Sequence, residues 1–203
     1  DGVTDTIVRN NLLYNNHASG ISVYQIDGGS GSRRNRILNN TILMPSDGRW
    51  AINIPEPDFS LPDPGNTENQ VFNNILYNEH PWRGVITIGP SDLAGFNSDH
   101  NVLMDRLSAD GDDTVISLAA WQAMGFDQHS LISTPDQLFA NPSADDYHLS
   151  ATSPAMDHGV ILSDVPTDLE GRVRPSGVAF DIGAYEYPGA LPYNLFLTGV
   201  FRR

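Results

Sequence analysis

Apolar and polar positions in this chain alternate in short runs, and the runs recur. "IVRNNLLYN" (7–15), "RILNNTILM" (36–44), "QVFNNILYN" (70–78) and "SDHNVLM" (98–104) align on a central polar pair. Its second member is Asn11, Asn40, Asn74 and Asn101, at spacings of 29, 34 and 27 residues, and its first is Asn10, Asn39, Asn73 and His100. A second recurring run, "GISVY" (20–24), "AINIP" (51–55) and "VITIG" (85–89), places Ile21/Val23, Ile52/Ile54 and Ile86/Ile88 on one face and Ser22, Asn53 and Thr87 on the other. Period-two alternation of β-branched residues predicts strands buried on one side. A repeat of about thirty residues predicts stacked units, none of which buries its apolar face alone.

The polar pair then marks a tight corner between two strands. Asn tolerates the left-handed backbone such a corner needs, and stacked amides can hydrogen-bond from one repeat to the next. The expected ladder is Asn11, Asn40, Asn74 and Asn101, although the pattern alone leaves open which member of each pair faces inward.

Downstream the periodicity changes. "SLAAWQAMG" (117–125) predicts one short helix, with Ser117 as cap, Leu118, Trp121 and Met124 as an apolar stripe, and Gly125 as a stop. "YHLS" (147–150) and "FDIGAYEY" (180–187), set among turns at Pro142, Pro154, Pro166 and Pro175, are expected to pair across the end of the array and cap it. The expected organisation is stacked repeats over 1–104, a capping segment over 105–187 and a tail over 188–203. The tail, "PGALPYNLFLTGVFRR", fits either an anchoring segment or a last strand lying on the array.

The Asn-paired repeats resemble right-handed parallel β-helix proteins of the pectate-lyase-like kind. "LFANPSADDYHLSATSPAMDHGV" (138–160) followed by "DLEGRVRPSGVAFDIGAYEY" (168–187) is similar to the closing segment of secreted bacterial β-helix proteins known as choice-of-anchor Q. The expected fold class is therefore all-β, a right-handed parallel β-helix solenoid with a C-terminal cap and one short helix. The resemblance implies a secreted or cell-surface bacterial protein that binds polysaccharide along the outer face of one sheet, as a lyase, hydrolase or epimerase. A non-catalytic adhesive stalk with a cell-surface anchor is the alternative. Because the sequence starts at Asp1 and enters a strand almost at once, it reads as the C-terminal part of a longer chain whose active repeats lie upstream.

Charge narrows the partners. Against 25 acidic residues stand 11 basic ones, all Arg, for a formal charge of −14. Long-range repulsion disfavours nucleic acid. Without Cys there are no disulfides or thiolate metal sites. No apolar run approaches the roughly 20 residues of a membrane span. The polar column Ser22, Asn53, Thr87 offers neither the carboxylate pair of glycoside hydrolysis nor a Lys or Arg base for elimination.

The loops flanking the second run carry the candidate chemistry. Before it, the repeats align His17, Arg49, Trp50, His80, Trp82 and Arg83. With Asn53 and Tyr24 these form the expected substrate-binding ridge of flat rings and donors suited to sugars and carboxylates. Trp50 and Trp82 folded over the repeat edge as local core would give the same pattern. After it come Asp27, Glu56, Asp58, Asp63 and Asp92, an acidic rim that could hold Ca²⁺ or simply be solvated; no other cofactor is expected. "SADGDD" (108–113) is a further acidic loop without the spacing of an EF-hand. Asp127, His129 and Ser130 suggest a catalytic triad, but sequence neighbours seldom reach triad geometry, so a structural role is expected. Arg33, Arg34 and Arg36 form a basic loop that could meet a substrate acid or remain solvated.

Overall fold

The computed structural model describes residues 2–25 and 29–188. Four successive repeats each contribute three short strands: β1 (Ile7–Arg9), β2 (Leu12–Tyr14) and β3 (Ile21–Ser22); β4 (Arg36–Leu38), β5 (Thr41–Met44) and β6 (Ile52–Ile54); β7 (Gln70–Phe72), β8 (Ile75–Asn78) and β9 (Ile86–Ile88); β10 (Asn97–Asp99), β11 (Val102–Leu103) and β12 (Leu107–Ser108). Like strands pair in parallel. The first sheet is β1-β4-β7-β10, the second contains β2-β5-β8-β11, and the third is β3-β6-β9-β12. The registers match the sequence columns, with Val8 opposite Ile37, Ile37 opposite Val71 and Val71 opposite Ser98. The chain is thus all-β in class, built mainly of parallel sheets.

Alternation sorts the side chains. Ile37 and Val71 of the first sheet, Ile42, Leu76 and Leu103 of the second, and Ile52, Ile54, Ile86, Ile88 and Leu107 of the third form one buried cluster between the sheets.

Between the first and second sheets the chain turns in two residues. The first of them is left-handed in every repeat: Asn10, Asn39, Asn73 and His100 have φ of 53°, 50°, 56° and 54°. The second points inward. Nδ2 of Asn11, Asn40 and Asn74 donates to Oδ1 of Asn40, Asn74 and Asn101 at 2.8, 2.9 and 3.1 Å, and each backbone N–H donates to the same oxygen. The amide-to-amide donations therefore all run toward the later repeat, while Nδ2 of Asn40, Asn74 and Asn101 also donates back to the carbonyls of Val8, Ile37 and Val71. The last, Asn101, donates to Oδ1 of the buried Asp127 at 2.8 Å. A parallel ladder runs from Ser32 to Asn66 to the buried Asp92, whose two oxygens accept from Asn66 at 2.7 and 3.0 Å. Both rows end on a carboxylate, an acceptor that needs no further acceptor beyond it.

The array continues past residue 104, the boundary expected from the sequence. β13 (Leu131–Ile132) adds to the second sheet beside β11. His129 and Ser130 occupy the corner of this fifth repeat, with Ser130 Oγ accepting the Asn101 N–H at 2.7 Å where an Asn oxygen does so elsewhere. Between β12 and β13 lies α1 (Leu118–Ala123). Ser117 Oγ accepts from the Ala120 N–H at its start, and Gly125 follows at φ 101°. Leu118 and Trp121 are buried in the interior cluster, but Met124 is exposed, so the stripe ends one residue early. A second helical turn, α2 (Pro135–Leu138), was not expected; Thr134 and Gln137 form its capping box.

The C-terminal segment does not pair across the end of the array, as its sequence suggested, but packs on the outer residues of the sheets. β14 (Phe139–Asn141) and β15 (Asp146–Leu149) form an antiparallel pair, and the rest of 150–187 is mostly turns. This segment lies along the side. Leu138, Phe139, Tyr147, Leu149, Ala155 and Ile182 pack on Leu43, Ile75 and Val102, the outer residues of the second sheet. Val165 and Phe180 pack on Leu38 of the first. The outward corner amides dock it: Asn39 donates to the Asp181 carbonyl at 3.0 Å, and Asn73 exchanges bonds with the Val160 backbone at 2.8 and 2.9 Å. A fully buried ion pair, Arg174–Glu186 at 2.6 Å, ties the segment to itself. Burial pushes the Glu186 carboxyl up and the Arg174 guanidinium down, and each is opposed by the other's charge.

Candidate functional site

The third sheet turns a polar column outward: Ser22 pairs with Asn53, Asn53 with Thr87, and Thr87 with Ser108. At its later end the loop after β12 folds back over it. Asp110 Oδ1 gathers the Ser108 hydroxyl at 2.8 Å and the backbone N–H groups of Thr114 and Asp113 at 2.9 and 3.2 Å. Burial alone would raise this carboxyl, but those bonds hold it below the ordinary carboxylate value. The Gly111 N–H donates to the Ile88 carbonyl at 3.1 Å. Thr87 is left buried, with its hydroxyl unpartnered among the described residues. "SADGDD" is therefore a self-bonded flap on the third sheet.

The flap presents Asp112, held at φ 98°, an uncommon backbone for a residue with a side chain. One carboxylate oxygen accepts from Trp50 Nε1 and the other lies 3.4 Å from an Arg83 nitrogen. Together with Ser19, Arg49, Asn53, Pro55 and Gly111, these residues line an open cleft of ≈ 440 Å³. Trp50 is its buried wall. Trp82 stands edge-on to Trp50 at 6.1 Å, exposed at the rim, with the Arg83 guanidinium 5.8 Å from its ring centre. Arg49 is exposed, and its guanidinium makes no hydrogen bond or ion pair among the described residues.

Arg49, Trp50, Asn53 and Arg83 of the expected ridge thus line one cleft, with Trp82 at its rim; the other ridge residues do not line it. His17 lies out in solvent, paired with Asp47 at 2.8 Å. His80 shapes the loop: its Nδ1 accepts the N–H groups of Trp82 and Arg83 at 3.1 and 2.8 Å, which puts the ring proton of the neutral form on Nε2. Tyr24 lines a separate cavity with Val3, Val8 and Ile37.

The acidic residues scatter. Asp58 binds the hydroxyl and N–H of Ser60 at 2.6 and 2.8 Å, and these bonds lower its pKa. Glu56 is exposed and Asp63 pairs with Arg33. Asp92 is no rim residue: it ends the second ladder, and burial raises its pKa despite the bonds from Asn66. Asp27 lies outside the described residues, as does the tail beyond residue 188. Arg34 and Arg36 are paired with Asp5 and Asp164, which leaves no free basic loop. Asp127, His129 and Ser130 are not a triad, because the His129 ring bonds to Asp99 at 2.7 Å while Ser130 bonds to Asp127 at 2.5 Å. Asp112 is the charged cleft residue not expected from the sequence, alongside Ser19, Pro55 and Gly111; "SADGDD" was visible, but not its fold-back onto the strand.

Comparison of the chain with protein-family models and with curated proteins finds no match.

Proposed function

We propose that the chain is a segment of a right-handed parallel β-helix that holds an acidic polysaccharide in the cleft on its third sheet. The observation that carries this reading is the exposed Arg49 guanidinium, unpaired among the described residues, beside Arg83 in a chain of net charge −14. The Arg49 fork can take a sugar carboxylate beside the Arg83–Asp112 pair, Asn53 supplies an amide for hydroxyls, and the exposed Trp82 ring offers a flat face for a sugar ring. A local positive site in a negative field suits a substrate that is anionic at one point and neutral between. Secretion or attachment at a cell surface belongs to the same reading, since polymers of this kind lie outside the cell.

Binding fits the lining better than bond cleavage does. Among the described residues the one carboxylate lining the cleft, Asp112, is engaged by Trp50 and Arg83, so they do not supply both the acid and the base of glycoside hydrolysis there. Titration with an oligogalacturonide, followed by Trp fluorescence and calorimetry, tests the reading. Binding that weakens about tenfold in Arg49→Ala, and falls steeply with salt, is expected from loss of a charge-assisted contact. Equal affinity for a neutral oligosaccharide of the same length, or no change in Arg49→Ala, would overturn it. No binding of either glycan would favour a non-catalytic stalk.

A further inference from the structure

A cluster of metal-ligating side chains stands where the outward corner column leaves the covering segment. In the first three repeats this column is Asn10, Asn39 and Asn73, whose amides donate to the carbonyls of Thr167, Asp181 and Val160. In the fourth and fifth it is His100 and His129, whose rings stack at 5.0 Å and 24°. Asp99, the last residue of β10, stands beside both. Its Oδ1 accepts the backbone N–H groups of His100 and His129 at 2.8 and 2.7 Å, which fixes the carboxylate. Its Oδ2 lies 2.7 Å from His129 Nδ1 and 3.5 Å from His100 Nδ1. His100 Nδ1 is buried and makes no hydrogen bond among the described residues. Burial alone would raise the Asp99 carboxyl, but the His129 ring and the two N–H groups hold it below the ordinary carboxylate value, so it is anionic at neutral pH.

We propose that Asp99, His100 and His129 form a binding site for a divalent transition-metal ion such as Zn²⁺, which ties the fourth repeat to the fifth. Two imidazoles and one carboxylate suit a borderline ion and not Ca²⁺ or Mg²⁺, which take oxygen ligands. The three ligand atoms lie within 4.8 Å of one another. Tetrahedral zinc with bonds of about 2.0–2.2 Å separates its ligands by about 3.4 Å. The His100–Asp99 pair at 3.5 Å already has that spacing. The exposed His129 ring, now hydrogen-bonded to the carboxylate, has to swing out by about 0.7 Å to match it. Coordination through Nδ1 leaves each neutral ring its proton on Nε2.

Calorimetric titration of the whole chain with ZnCl₂, alongside thermal unfolding, tests the site. One ion per chain and a raised midpoint are expected, while CaCl₂ leaves the midpoint unchanged. His129→Ala and His100→Asn should each weaken binding at least about tenfold. His100→Asn keeps the corner, because Asn holds the same left-handed turn in the three preceding repeats. In ring ¹⁵N spectra, Zn²⁺ should move the Nδ1 signals of His100 and His129 and leave those of His17 and His148 in place. Absence of binding at a stoichiometric excess of Zn²⁺ overturns the proposal. So does binding retained in the double variant, which would put the ion elsewhere, such as at His148 between Asp146 and Glu170.

Discussion

The second and third sheets grow from the same repeats, yet their outer faces end differently. Outward residues of the second sheet, Leu43, Ile75 and Val102, are apolar and lie under the C-terminal segment. Those of the third, Asn53, Thr87 and Ser108, are polar, and beside Asn53 the face opens into a cleft. Strands buried on both faces read as continuous apolar runs, whereas strands with one polar face alternate. "TILM" and "ILYN" are of the first kind and "INI" is of the second. One fold thus makes a docking face and an accessible face from a single difference in outward side chains.

The covered face is where substitution should cost most. Arg174→Ala leaves Glu186 buried without its charge partner, and a loss of about 3–5 kcal/mol is expected in denaturant unfolding. An unchanged midpoint would show that the segment contributes little to stability. Within the cleft, Trp50→Ala removes a buried wall and should cost about 3 kcal/mol or more, while Trp82→Ala at the rim should stay within about 0.5 kcal/mol. Equal effects of the two would erase the distinction between wall and rim. Between the faces, Asn74→Leu strands the backbone N–H and one Nδ2 hydrogen of Asn40 and leaves Asn101 Oδ1 only the backbone N–H of residue 74, and a loss of about 2–3 kcal/mol is expected with glycan binding intact.

The smallest expected effect is one of pH. Hydrogen bonds from His148 to Asp146, and then to Glu170, raise the His148 pKa at the edge of the covering segment. A raised folded-state value means that its stabilisation is full below about pH 6.5 and is lost as pH rises through the folded value. The thermal midpoint of the wild type should therefore fall slightly more than that of His148→Gln between pH 6 and pH 8. Parallel curves would remove the linkage.

The parallel strands, the corner Asn residues and α1 were legible because each rests on local chemistry repeated in register: period-two alternation, an amide that tolerates positive φ, and a Ser cap. The fifth repeat was equally visible in "HSLI" beside "HNVL", yet it was hidden by one change: Ser130 stands where Asn stands in the other repeats. The path of residues 134–187 was not legible, since "FDIGAYEY" shows neither strand nor helix period and is placed by contacts with Asn39 and Asn73 more than eighty residues away in sequence. The cleft was half legible. Stacking aligned Arg49 with Arg83, but the fold-back that brings Asp112 against Trp50 depends on a bond from Gly111 to Ile88 that no local pattern encodes.

The one-way donation along the inner amides makes this array modular with a terminator. A duplicated middle repeat would find an oxygen below and a donor above and could be spliced in without breaking the row. Asp127 accepts from Asn101, Ser130 and the Trp121 indole and has no amide N–H in its side chain, so the amide-to-amide row stops at it. The row can lengthen by gene duplication on one side of that residue only, and a single Asp→Asn exchange there is the kind of change that would let a longer row evolve.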